Sequence, residues 1–371
     1  MFVQNFRGSW NRLPFDRKYS FTDCWLRQKD EQLPDRQLFQ ESIRRLLLVY
    51  ALGENRRYCS RIPKEAKTIL WLHMTDHIGD SLMRLSPVQL LTGRTVDLLA
   101  DDKATLLFEP GGWFRKVMRL SDEDLRLDDR EYDCVILDAL HTKPLLAKHR
   151  LLKKTPFVSQ NDFFHYCRDD YNLTLCSWAR MEHLLNQEVD DLAGSARLVM
   201  DSHTAFSRLP AELAIDDDAL GIVIGGREEY RIYRHWLQVV ELLLSRRPDL
   251  QLVLLGSENG DAPAREILDR FPDRKIIDCI NKYDLARTAA VVDKCALVVC
   301  ADGGLLHVAG AVATPTVCLF AQEYPAFRYT PSDRFRALRS EQNVNTIEPE
   351  AVVREVELAL SGSWQTWEEN T

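Results

Sequence analysis

From Thr68 onward the apolar residues come in short continuous runs, separated by stretches with helical spacing. That is the pattern of strands buried on both faces of a sheet. Thr68, Ile69, Leu70, Trp71, Leu72, His73 and Met74 form the first run. A loop over 75–79 leads into a predicted helix over about 80–91. Strand 96–100, helix 103–108 and strand 133–138 follow. This β-α-β rhythm predicts a parallel sheet with helices on both faces. Residues 163–186 read as a polar helical region, and the loop-rich stretch to Asp218 as a junction. A second series then opens with strand 220–226, helix 233–244 and strand 250–255. Helix 264–270, strand 275–279 and helix 284–293, capped by Asp284, come next. Strand 296–300, an apolar helix after Gly303 and Gly304, and strand 316–320 complete the set, and Pro349–Leu360 is the last helix.

The expected fold is therefore α/β: two Rossmann-like, doubly wound domains facing a central cleft, preceded by a mostly helical extension. A chain of 371 residues is too long for one ordinary core, which agrees with two domains. The boundaries read as 1–66 for the extension, 67–200 and 215–345 for the two domains, and 346–371 for a closing helix and tail. In the extension, Leu38, Phe39, Ile43, Leu46, Leu47 and Tyr50 recur near helical spacing, with Arg44 and Arg45 read as outward.

Composition narrows the class. Hydrophobic content of 45% with 28% charged residues suits a soluble globular protein, and no run nears the roughly 18 apolar residues of a membrane span. The N-terminus lacks the charged-then-apolar order of a signal peptide. Nine cysteines include no C-x-x-C pair, which points to a reduced cytoplasmic protein and away from a zinc site. The net charge of −8 is uneven. Residues 1–67 carry 14 Lys or Arg against 8 Asp or Glu, so this basic lead precedes an acidic body. It reads either as a solvated helical arm or as a contact for an anionic surface such as phospholipid headgroups. With no basic stripe interleaved with aromatics, nucleic acid is not an expected partner.

Two turns carry candidate chemistry. In the first, Asp80 stands just past the first strand at a helix start. By itself that is the place of a cap, whereas a catalytic role needs a carboxylate able to accept a proton. His77, in the same turn, reads more readily as a loop histidine than as a catalytic one. In the second turn Asp302, Gly303, Gly304 and His307 join a strand to a helix, whose free N–H groups suit a phosphate. Between them Arg227, Arg231, Arg234 and His235 follow the Gly225-Gly226 strand end. They read either as cations for a diphosphate or as a surface cluster paired with Glu228 and Glu229.

The glycine-aspartate turn, the Arg234-His235-Trp236 segment, and the block from Asp302 to His307 with Thr314-Pro315-Thr316-Val317 and Leu319-Phe320 resemble glycosyltransferase family nine. Its best-known members transfer heptose from ADP-heptose to lipopolysaccharide. The likeness spans about 67–360. It implies the GT-B architecture, an acceptor on the first domain, a nucleotide sugar on the second, and metal-independent transfer with inversion and no cofactor. By position Asp80 matches the family's general base, and Arg234 a lysine on the donor phosphates. Gly303 and Gly304 match the backbone donors to the diphosphate, and Asp302 and His307 the acid and histidine of that motif. Glu258 and Asp261 fall in the loop near the ribose. Gly303 stands where the family commonly shows threonine. No D-x-D motif follows a strand; Asp216, Asp217 and Asp218 precede one. The implied partners are a nucleotide sugar and a lipopolysaccharide core acceptor, with the protein in the cytoplasm and peripheral contact to the inner membrane. The same fold serves another nucleotide sugar or a protein acceptor, or a non-catalytic nucleotide-sugar-binding protein.

Overall fold

The computed structural model describes residues 35–75, 77–162, 172–201, 209 and 213–365. The aromatic-rich lead before Asp35 and the start of the 163–186 region lie outside them. The chain divides into two compact units, Met1–Ala196 and Arg197–Thr371.

The first unit begins with helix α1 (Asp35–Ala51). Its buried face is set by Ser42, Arg45 and Val49, while Phe39, Leu47 and Tyr50 are exposed. Arg45 is thus buried, not outward: positions 42, 45 and 49 share one helical face, and a long apolar stem lets an arginine lie along it. Strand β1 (Thr68–His73) is inaccessible over nearly its whole length, as its continuous apolar run requires. Helix α2 (Ile78–Leu85) follows, and a tighter 3-10 stretch, Ser86–Leu90, takes up the rest of the expected helix. Pro87 explains the change, since it has no N–H to continue the α pattern. Strands β2 (Thr95–Ala100), β3 (Val117–Arg119) and β4 (Cys134–Leu137) come next. Helix α3 (Thr142–Leu151), strand β5 (Phe157–Ser159) and helix α4 (Leu173–Leu185) complete the unit. The sheet runs β3-β2-β1-β4-β5, with every pair parallel.

The second unit repeats the plan. It consists of β6 (Leu220–Ile224), α5 (Trp236–Arg246), β7 (Leu252–Gly256), α6 (Asp261–Arg270) and β8 (Ile276–Asp278). Then follow α7 (Leu285–Lys294), β9 (Leu297–Ala301), α8 (Gly304–Ala311), β10 (Thr316–Ala321), β11 (Phe335–Ser340) and α9 (Pro349–Leu360). Its sheet runs β11-β10-β9-β6-β7-β8, again all parallel. Asp284 caps α7 as expected, its carboxylate accepting from the Arg287 N–H at 2.8 Å. One face of the sheet packs Trp236, Val239, Val240 and Leu243 of α5 with Val352, Val353 and Val356 of α9. Burying such side chains contributes roughly 1.5–3 kcal/mol each.

The expectations missed β3, β5 and β11, all edge strands. An edge strand pairs on one side only, so β3 is half-exposed and ends on an exposed arginine, and β11 carries the half-exposed polar residues Arg339 and Ser340, in place of a buried apolar run. β5 is buried but only three residues long. Each sheet reverses its strand order beside its first strand, between β1 and β4 and between β6 and β9. In doubly wound sheets ligands bind outside the carboxyl ends of the strands at that point.

Candidate active site

At the reversal point of the second unit, Gly225 ends β6 with φ +95°, and Gly256 ends β7 with φ +154°. A Cβ on Gly225 would stand 2.5 Å from Oδ1 of Asn259, and one on Gly256 2.2 Å from the Ile224 carbonyl oxygen. Two loops therefore meet backbone to backbone, which only glycine permits. The second of these loops carries Glu258, exposed in a single 3-10 turn, and Asp261, at the start of α6. Asn259 donates to the Gly226 carbonyl and accepts from the Ser257 hydroxyl at 2.9 Å.

Across the reversal point, β9 delivers Asp302. Its side chain is almost wholly buried, with Oδ2 3.3 Å from Arg231 and 3.2 Å from Nε of Arg328. Oδ1 is also buried and has no hydrogen-bond partner among the described residues. Two guanidinium groups thus share one carboxylate oxygen. Gly303 then stands at the N-cap of α8 in extended conformation and supplies no side-chain cap. His307 lies one turn into α8 and is buried. A Cβ on Gly303 would meet only the Ala301 carbonyl oxygen, at 3.8 Å, so the space beside this helix start is open. The free N–H groups of a helix start without a side-chain cap favour an anion.

Arg234 is placed differently from Arg231. Its guanidinium is exposed and pairs with Glu229, while its N–H donates to Oδ1 of Asn345 at 2.7 Å. Asn345 also donates to the Ile232 carbonyl at 2.9 Å, and its own carbonyl oxygen lies 3.2 Å from Nε2 of His235. Of the arginines in this segment, Arg231 reaches Asp302. Arg328 comes from the short helix Pro325–Arg328, beyond any motif read in the sequence.

In the first unit, α2 starts at Ile78 with His77 at the N-cap and no side-chain capping bond. Asp80 sits inside the first turn, partly exposed, with no hydrogen bond or ion pair among the described residues. The carboxylate is not spent as a cap. Next to it, Ser81 joins a buried chain. Nε2 of His73 lies 3.0 Å from Oγ of Ser81, and Nδ1 lies 2.9 Å from Oδ1 of Asp138. The Ser81 hydroxyl also reaches the Thr75 carbonyl at 3.2 Å, and the Met74 N–H donates to Oδ2 of Asp138 at 2.9 Å. Burial pushes the Asp138 carboxyl up, but His73, Arg84 and the Met74 N–H outweigh it and hold the group below its ordinary value. This chain ties the ends of β1 and β4 to the turn that carries Asp80. Sequence reasoning passed over it, although an imidazole closing an otherwise apolar run was a signal.

Residues 187–355 match the model of glycosyltransferase family 9 (heptosyltransferase). A stretch of 110 residues is 29% identical to lipooligosaccharide heptosyltransferase 2 of Haemophilus influenzae. That match takes in 28% of this chain and 31% of the relative, so the chain spans about a third of the curated protein's length. A glycosyl transferase family 9 structure from Veillonella parvula superposes with a TM-score of 0.63 at 16% identity, covering 80% of this chain and 98% of the other. The E. coli ADP-heptose lps heptosyltransferase II gives 0.63 at 16% identity, over 79% and 98%. These likenesses establish the fold as the GT-B type, two Rossmann-like domains.

Proposed function

We propose that this chain, glycosyltransferase family 9-like through residues 187–355, transfers heptose from ADP-heptose to a sugar of a lipopolysaccharide core, inverting the anomeric centre. The observation that carries the reading is the open, uncapped start of α8, flanked by Asp302 with Arg231 and Arg328, inside the matched stretch. In this reading the Asp80 carboxylate takes the proton of the acceptor hydroxyl while that oxygen bonds to the anomeric carbon. The bond from that carbon to the diphosphate oxygen breaks, and its electron pair leaves with ADP. N–H groups at Gly303 and Gly304, with Arg234, stabilise the departing diphosphate. Asp302 and His307 contact the donor, Glu258 and Asp261 lie on its ribose side, and His77 meets the acceptor. The basic leading segment contacts the membrane surface where a lipid-linked acceptor resides.

Replacing Asp80 with Asn tests the assignment. General-base catalysis contributes about 10²–10⁴-fold, so kcat should fall by that factor while the Kd for ADP-heptose stays unchanged. Turnover close to that of the unaltered protein removes Asp80 from the mechanism. Absence of ADP-heptose binding in the unaltered protein removes the reading as a whole.

A further inference from the structure

Helix α2 already seats Leu82, Met83 and Leu85 in the interior of the first unit. Ser81 lies on the same face as Leu85, four residues on, where an apolar side chain would pack as well. Ser81 and His73 are nonetheless fully buried, and Asp138 is nearly so. Taking three polar groups from water costs free energy that apolar side chains of similar volume would not. Such a chain is explained when the orientation it enforces has a use beyond holding the helix down. Its ties converge on α2. Oγ of Ser81 lies 3.0 Å from Nε2 of His73, whose other nitrogen lies 2.9 Å from Asp138. The Arg84 guanidinium, one turn along the helix, acts on the same Asp138 carboxylate, and the Arg84 carbonyl accepts from Nε2 of Gln160 at 3.2 Å. The start and the end of α2 are thus both fastened to the carboxyl ends of β1 and β4.

We propose that Ser81 is a positioning residue for Asp80, and that His73 and Asp138 hold Ser81 in that task. The Ser81 hydroxyl also reaches the Thr75 carbonyl at 3.2 Å, so it joins the first turn of α2 to the segment that leaves β1. Asp80 precedes Ser81 and makes no hydrogen bond or ion pair among the described residues. The place of its carboxylate is therefore set by the backbone of that turn. This arrangement suits a base. Donors bonded directly to the carboxylate would fix it equally well, but they would stabilise its charged form and make it a poorer proton acceptor. Fixing the neighbouring residue leaves the basicity untouched. The role rests on the transferase reading of Asp80.

A double-mutant cycle on the full chain, assayed with ADP-heptose and a heptose-free lipopolysaccharide core, tests the proposal. A displacement of about 1 Å at a reacting group costs up to about 100-fold, so Ser81→Ala should lower kcat about tenfold or more. The KM for ADP-heptose should not change, and the melting temperature should stay within a few degrees. In an Asp80→Asn background the same Ser81→Ala change should lower the residual turnover by no more than about twofold, because the group it positions is gone. Should Ser81→Ala fail to fold, Ser81→Cys, of similar size and with a weaker donor, carries the same cycle with a smaller loss. Unchanged kcat in the Ser81 variant overturns the proposal, since a merely structural serine would move only the melting temperature. So does an equal fold-loss in both backgrounds, which would mean that Ser81 does not act through Asp80. Full turnover by Asp80→Asn is a different failure: it removes the general-base reading, and this role with it.

Discussion

Asp138 and Asp302 occupy the same place in two copies of one fold. Each follows the last residue of the strand across the reversal point, β4 in the first unit and β9 in the second. Asp138 has both oxygens satisfied by the protein, from His73 and the Met74 N–H. Asp302 has one oxygen shared by two arginines and the other buried without a partner among the described residues. One position thus yields a brace in the first unit and an unfinished polar cluster in the second. What the fold supplies is the location; the partners decide whether the carboxylate serves the structure or a ligand.

The largest expected effect separates the two. His73→Ala leaves the Asp138 carboxylate buried with a single donor, and the cost of an unpaired buried group is about 2–4 kcal/mol. Arg328→Ala leaves Asp302 still paired with Arg231, so its cost should be about 1 kcal/mol. Urea denaturation of both variants measures the difference. Equal losses would mean that both carboxylates brace their sheets, and the comparison fails.

A second, smaller effect concerns how the second strand end is shaped. A methyl on Gly256 must move a carbonyl oxygen 2.2 Å away, from a backbone angle that other residues rarely adopt. Gly256→Ala should therefore destabilise by about 1–3 kcal/mol, read as a lower denaturation midpoint. In the first unit the strand ends across the reversal point are joined by side chains instead, through Asp138 and His73.

Acid titration sharpens the first half of the comparison. The Asp138 carboxyl is held below its ordinary value in the folded chain, so as pH falls the unfolded chain takes up that proton first. Its stabilising contribution is complete above about pH 4, the unfolded carboxyl range, and is lost as pH falls through the lower folded value. The urea midpoint should decline with acidification in that window. The decline should be shallower in Asp138→Asn, and identical slopes would show that the brace does not depend on the charge.

Much of this was legible in the order of residues. The run 68–73, the helix Pro349–Leu360 and the strand-glycine-helix turn at Asp302 declare themselves through local apolar spacing, which is what a buried strand or amphipathic helix demands. The brace was not, because His73 and Asp138 are 65 residues apart and meet only through the pairing of β1 with β4. Arg231 and Arg234 looked interchangeable in sequence. The 3-10 turn Glu229–Arg231 sends one toward Asp302, while the other stays exposed beside Glu229. The cap suggested for Asp80 failed for a local reason: the helix begins two residues earlier, so Asp80 falls inside its first turn, and its carboxylate makes no hydrogen bond or ion pair among the described residues.

The smallest effect tests whether the second corner is shaped for a ligand or for folding. Gly303 looks like Gly256 in sequence, a glycine at a strand end, but its φ of −179° is ordinary extended backbone. The nearest atom to an added Cβ is 3.8 Å away. Nothing in the fold requires glycine there. Gly303→Ser places a hydroxyl at the N-cap of α8, where serine and glycine differ by only a few tenths of a kcal/mol, so the melting temperature should hold steady or rise slightly. The same hydroxyl, standing where the family commonly has threonine, adds a donor beside the N–H groups assigned to the diphosphate, and ADP affinity should rise a few-fold without loss of stability. A melting temperature that drops as far as in Gly256→Ala would make Gly303 a structural glycine, and the openness at the start of α8 would no longer point to a ligand.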